Sequence, residues 1–191
     1  HHDARRQRQM CIRDSNMQIQ IGVRDGVKVA DYEKAMIQHN KAHATDLGAA
    51  TTYQIINGPD AGDYIRMPKS IFTSADMIDA VFNEWQNHDP VPYDKFDGKM
   101  VEGKNGTVFY TLRPDLSYNP QVKTWKYLRQ SKWNVRQGGQ SSAESIFKLA
   151  NEIRDELGSD EHFVCMVSNT GQPFNCLLYT SDAADERHWV C

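Results

Sequence analysis

Long apolar runs are missing from this 191-residue chain. None approaches the roughly 18 residues that a membrane-spanning helix needs. The opening residues, HHDARRQRQM, are too polar for the core of a signal peptide. An excess of basic charge is missing as well: 22 Lys+Arg stand against 25 Asp+Glu, for a net charge of −3 and a mean hydropathy of −0.68. That balance gives the whole molecule no pull toward nucleic acid or an anionic membrane, so neither is expected as a partner. A nucleophile elbow, a dinucleotide-binding glycine fingerprint and a paired-carboxylate signature are also absent. The expectation that remains is a soluble globular chain of one ordinary domain or two very small ones.

Cysteine is scarcer than its count of four suggests. Cys11, Cys176 and Cys191 lie in terminal stretches whose composition differs from everything between them. Arg5 to Asp14 (RRQRQMCIRD) and Cys176 to Glu186 (CLLYTSDAADE) mirror each other at the level of DNA. Back-translated with legal codons, the first stretch encodes the second on its complementary strand, shifted by one frame and in register throughout. The reconstructed DNA resembles the transposon-end adapter of tagmentation sequencing libraries, read inward from both ends of an insert. Residues 1–15 and 176–191 are therefore expected to be adapter-derived and are set aside from fold reasoning, as a tag would be. On this expectation the insert, Asn16 to Asn175, was cut from something longer, and a native N-terminus with any targeting signal lies beyond it, which leaves the compartment open. Within the insert Cys165 alone remains, which excludes a disulfide framework or a Cys-rich zinc site. Set in the apolar run HFVCMV, Cys165 reads as a small buried hydrophobe.

Inside these limits the periodicity is clear. Met17 to Val23 alternates as a half-buried strand does. Tyr32, Met36, His39, His43 and Leu47 recur at helical spacing and predict a helix over Asp31 to Leu47, with Gly48 closing it. Thr51 to Ile56 and Asp63 to Met67 flank the turn-rich NGPDAG as a hairpin. Thr73 or Ser74 can cap a second helix whose inward face is Met77, Ile78, Val81, Phe82 and Trp85. Gly106 to Arg113 is a further strand, which completes the order β-α-β-β-α-β over 16–114. A linker follows at 115–122, and the pattern restarts over 123–175. A strand over Lys123 to Arg136 leads to a helix with Ile146, Ala150, Ile153 and Leu157 on one face, closed by Gly158. A strand over Glu161 to Val167 and the first residues of a return strand end this truncated second unit.

One such unit folds most simply as a ferredoxin-like antiparallel sheet with two helices on one face, which gives an α+β class. The uncovered sheet face asks for a partner sheet, and a tandem chain can supply both, packed face to face. His39 to Met67 (HNKAHATDLGAATTYQIINGPDAGDYIRM), with the Trp85 helix and LSYNP (Leu116 to Pro120), resembles the dimeric α+β barrel superfamily. The match is closest to tandem bacterial members without an assigned activity. It covers most of the insert as pattern and only His39 to Met67 as motif.

The resemblance implies architecture more than chemistry, since that superfamily holds cofactor-free monooxygenases, haem-handling enzymes and stress-induced proteins. It also implies a cavity between sheet and helices. Tyr32, Met36, His39 and His43 would form one wall, with Tyr53, Phe82 and Trp85 opposite, suited to a small apolar ligand. The leading expectation is a binding or structural module that requires no cofactor and self-associates through its sheet face. The alternative is a cofactor-free monooxygenase or haem-handling enzyme, with His39 or His43 as acid/base or iron contact. Whether the chain is an enzyme stays open.

A metal-dependent hydrolase is a third reading, because an i, i+4 histidine pair can present both imidazoles to one ion. Asn40 stands where the metalloprotease pattern needs its glutamate, so that reading fails at the general base, and no metal site is assigned. His88, Glu84 and His162 are the other residues that could join the pair. GPDAG (Gly58 to Gly62) lacks the end of a phosphate loop and reads as a turn. The aromatic and basic WKYLRQSKWNVR (Trp125 to Arg136) is explained by strand alternation without nucleic acid.

Overall fold

The computed structural model describes residues 15–45, 47, 49–69, 71–87, 98–120, 128–168 and 175–181. The chain divides into two compact units, His1–Phe109 and Tyr110–Cys191.

Unit 1 contains β1 (Ser15–Val23), α1 (Val29–Ala42), β2 (Ala50–Gln54), β3 (Tyr64–Pro68), α2 (Ala75–Gln86) and β4 (Val101–Leu112), whose last residues pass into unit 2. The strand order β2-β3-β1-β4 is that of a ferredoxin-like sheet, as expected from the β-α-β-β-α-β sequence. The β2–β3 hairpin is antiparallel with Tyr53 opposite Ile65, and β3 continues onto β1 with Ile65 opposite Gln20 and Tyr64 opposite Ile21. Gly58 and Gly62 in its turn hold positive φ of 95° and 101°, the backbone region that glycine enters without steric cost.

α2 forms where its signals converge. The Ser74 hydroxyl accepts from the amide of Met77 at 3.2 Å and satisfies one of the helix's open donors. Its face of Met77, Ile78, Val81, Phe82 and Trp85 packs against Met17, Ile19, Phe72 and Phe109. α1 packs a second cluster of Ile21, Tyr32 and Tyr64, with Met36, Val23 and Val27 at its margin, and Ile19 touches both clusters.

α1 departs from expectation in length. It stops at Ala42, and His43 is its C-cap at φ −108°, rather than a residue in mid-helix. Leu47 is not on the helix: its amide donates to Glu84 Oε1 on α2 at 3.3 Å. That tertiary contact is invisible to a four-residue spacing. Gly48, the expected helix stop, lies outside the described residues.

β1 also departs. Met17, Ile19 and Ile21 face the helices as expected, but the alternate Asn16, Gln18 and Gln20 are buried as well, so β1 is covered on both faces. Their side chains are drawn into contacts on that second face. Gln20 Nε2 donates to Asp63 Oδ2 at 3.1 Å, and Gln18 Nε2 lies 3.7 Å from Met67 Sδ.

Unit 2 contains the end of β4, a 3₁₀ turn (Pro114–Leu116), β5 (Leu128–Asn134), α3 (Gln140–Glu156), β6 (Phe163–Ser168) and β7 (Asn175–Ser181). Its order is β4-β6-β7-β5, with antiparallel pairing at each step among the described residues, Tyr110 opposite Ser168 and Trp133 opposite Cys176. This is the β-α-β-β half of a second ferredoxin-like unit. The core is Leu116, Tyr118, Phe147, Phe163 and Cys165, so the stretch expected as linker contributes two buried side chains. The expected strand before Leu128, with Trp125 and Tyr127, lies outside the described residues.

α3 runs as expected to Glu156, with Leu157 as its C-cap and Gly158, φ +60°, turning the chain just beyond it. Its buried face is another one. Ile146 (56 % exposed), Ile153 (47 %) and Leu157 (77 %) point outward, with Leu149 (56 %) between them, while Phe147 is buried. The polar side chains of α3 explain the rotation. Glu144 receives Arg113 Nη1 at 2.7 Å, Asn151 Nδ2 donates to the Ser117 carbonyl at 3.1 Å, and the Arg154 guanidinium sits 4.7 Å above the Phe163 ring. Turning Phe147 inward satisfies this whole face, and the aliphatic stripe is carried to the outside.

Candidate functional site

The sharpest constellation of the sequence is brought together at the C-terminal end of α1. His39 is 5 % exposed, and His43, one turn on, is half-buried. Their rings meet edge to face with centroids 5.0 Å apart and planes at 85°. The helix itself makes this pair: the His43 amide donates to the His39 carbonyl at 3.2 Å, so the cap geometry stacks one side chain over the other.

Beside the histidines runs a polar seam between α1 and the β2–β3 hairpin. Arg66 Nη2 donates to Asn40 Oδ1 at 3.4 Å, and Asn40 Nδ2 reaches Thr52 Oγ1 at 3.4 Å and Met36 Sδ at 3.2 Å. Asn40 thus ties helix to sheet at the position where a metalloprotease would carry its base. Further along, the Tyr64 hydroxyl donates to Glu33 Oε1 at 2.9 Å and accepts from Gln54 Nε2 at 3.3 Å. Burial first, and then the hydrogen bond and charge of Glu33, push the Tyr64 phenol up to about 12. Glu33, Met36 and Asn40 share one helix flank by spacing, and Tyr64 and Arg66 meet them by the period of two along β3. Sequence reasoning missed this seam, although the 3, 4 spacing of Glu33, Met36 and Asn40 carried a signal for it.

The proposed pocket residues fall in three places. Tyr32 and Met36 belong to the Ile21 cluster, where Tyr32 meets Tyr64 edge to face at 4.8 Å. Phe82 and Trp85 belong to the Met17 cluster, rings 5.5 Å apart. Tyr53 pairs with Ile65, which pairs with Gln20, so it lies on the sheet face away from Ile21 and Tyr32. The structure therefore joins His39 with His43, Tyr32 with Met36, and Phe82 with Trp85, and it puts Tyr53 across the sheet.

The other metal candidates are engaged elsewhere. Glu84 holds the Leu47 amide, and His162 Nδ1 lies 2.7 Å from the Asn119 carbonyl. His88 is outside the described residues. Among the described residues no group of three or more His, Cys, Asp or Glu side chains could hold a metal ion. Those residues add nothing to the monooxygenase or haem alternative beyond the two histidines themselves. Cys165 is fully buried, and its amide donates to Ser117 Oγ at 2.9 Å, as a core residue does. No described helix is long and apolar enough to cross a membrane.

Fold and site together define an α+β protein with one ferredoxin-like unit and part of a second. No protein-family model matches the chain, and no curated protein matches it.

Proposed function

We propose that this α+β domain is a binding module, and that unit 1 holds a small, mainly apolar molecule with one hydrogen-bonding group at the His39–His43 end of α1. The observation that carries the reading is the buried His39 imidazole set edge to face against His43, with Met36 and Tyr32 on the same helix. An apolar wall with a few convergent polar groups is the usual chemistry of such sites. A titration with 4-nitrophenol tests it. Saturable perturbation of the His39 and His43 imidazole nitrogens in NMR, lost in His43→Ala while that variant stays folded, is the expected outcome. A variant that unfolds to the same extent as it loses the signal returns the histidines to a packing role.

We infer that the units are of the dimeric α+β barrel type found in tandem bacterial proteins, and that the chain self-associates through a sheet face. The resemblance over His39 to Met67 supports this reading, and sedimentation over a concentration series tests the association. We also infer that residues 1–15 and 176–191 are adapter-derived, that 16–114, 115–122 and 123–175 are first unit, linker and truncated second unit, and that the native frame replaces Cys176 to Ser181 with other strand residues. The mirrored coding of the two terminal stretches supports this. A transposase-free long read across the source locus that returned both stretches in place would remove it.

A further inference from the structure

Asparagine followed by glycine occurs twice in the chain, at Asn57–Gly58 and at Asn105–Gly106. Such a pair is reactive because the glycine amide, with no Cβ beside it, can reach the carboxamide carbon of the asparagine before it. The structure holds the two pairs differently. Asn57–Gly58 lies in the loop between β2 and β3, and both residues are exposed. Asn105–Gly106 lies inside β4, which stands beside β1 in the strand order.

The hairpin is clamped just before its loop. Ile55 donates its amide to the Asp63 carbonyl at 2.8 Å, and its own carbonyl accepts from the Gly62 amide at 2.8 Å. Beyond that clamp two bonds fold the loop, from the Ala61 amide to the Gly58 carbonyl at 3.2 Å and from the Asp63 amide to the Asp60 carbonyl at 3.1 Å. Neither involves the peptide group that joins Asn57 to Gly58. Among the described residues the Asn57 carbonyl, the Asn57 carboxamide and the Gly58 amide form no hydrogen bond. The space that a Cβ would take at Gly58 is open as well. That peptide plane is therefore free to turn, whereas a strand peptide is held in its plane by ladder bonds.

We propose that the fold directs spontaneous deamidation to Asn57–Gly58 and spares Asn105–Gly106, which makes the hairpin tip a site of slow covalent modification by water. Hydroxide takes the Gly58 amide proton, and the nitrogen attacks Asn57 Cγ. The N–Cγ bond forms, the Cγ–Nδ2 bond breaks, and Nδ2 leaves as ammonia with a proton from water, which restores the hydroxide. Water then opens the cyclic imide at either carbonyl and leaves aspartate or isoaspartate, with no oxidant or reductant consumed. The neutral tip gains a carboxylate in a loop that already carries Asp60. Because the Ile55 clamp lies outside the changed bond, the register of Tyr53 opposite Ile65 is kept.

The test incubates the 191-residue chain in mildly alkaline buffer, with and without urea, and follows the peptides that hold the two asparagines by mass spectrometry. A gain of one mass unit at Asn57, about tenfold or more faster than at Asn105 in the folded protein and absent from Asn57→Gln, supports the proposal. In urea the two rates are expected to converge, because the ladder that protects Asn105 is gone. Equal rates in the folded protein overturn the proposal. A difference that persists in urea also overturns it, since that difference belongs to the following residues, Pro59 and Thr107, and not to the fold. So does an Asn57 that stays unmodified in the folded protein while the chain in urea is converted.

Discussion

A phenol buried against a carboxylate loses its proton late, because ionisation would place a second negative charge beside the first in a poorly hydrated site. Tyr64, hydrogen-bonded to Glu33, is pushed up to about 12, and Tyr110 reaches about 12 through burial alone. Both folded values lie above the ordinary tyrosine value of 10.0. The stability they contribute is therefore complete below about pH 10 and is lost as pH rises through the folded value. An ultraviolet tyrosinate titration is expected to show late-ionising phenols, of which Tyr64→Phe removes one and Tyr110→Phe another. Ionisation of either near its ordinary value contradicts the assignment.

Ser74 offers a second test at the same scale, since its hydroxyl accepts from the Met77 amide at the start of α2. Ser74→Ala is expected to cost about 1 kcal/mol in urea denaturation. No measurable loss would show that another group satisfies that amide.

Among the elements, α2 and the hairpin were legible because every local signal agreed: cap, apolar spacing and turn glycines each pointed to the structure that forms. The inward face of α3 was not legible. A count of aliphatic spacing selects Ile146, Ile153 and Leu157, and it gives no weight to Arg154 over Phe163 or to Asn151 on the Ser117 carbonyl. The candidate site divides in the same way. An i, i+4 spacing was enough to bring His39 to His43. The placement of Tyr53 depends on the register Tyr53–Ile65–Gln20, which spans three strands and is set by the hairpin, not by any local pattern. The α3 rotation gives a sharp contrast between neighbours. Phe147→Ala is expected to cost about 3–5 kcal/mol through a core cavity, whereas Leu149→Lys is expected to stay within about 0.5 kcal/mol of the parent. Denaturant midpoints read both, and comparable losses at the two positions would place Leu149 in the core.

For the molecule as a whole, the repeated β-α-β-β order matters most through what it leaves uncovered. Covering a fully exposed Leu or Ile stabilises by roughly 1.5–3 kcal/mol, so Ile146, Leu149, Ile153 and Leu157, about half exposed or more, would contribute about 1 kcal/mol or more each if another segment covered them. Part of that gain is offset by the conformational entropy of ordering the covering segment. The exposed stripe also favours non-specific association, and β5, last in the order of described strands, limits this only in part through Arg129 and Lys132, both exposed. The 191-residue chain is therefore expected to be less soluble, and to melt lower, than the protein of the native frame. Light scattering against concentration and thermal unfolding of the two, side by side, measure this. If the two proteins match in both, the second unit needs nothing beyond β7, and the repeat inferred from the chain order is wrong.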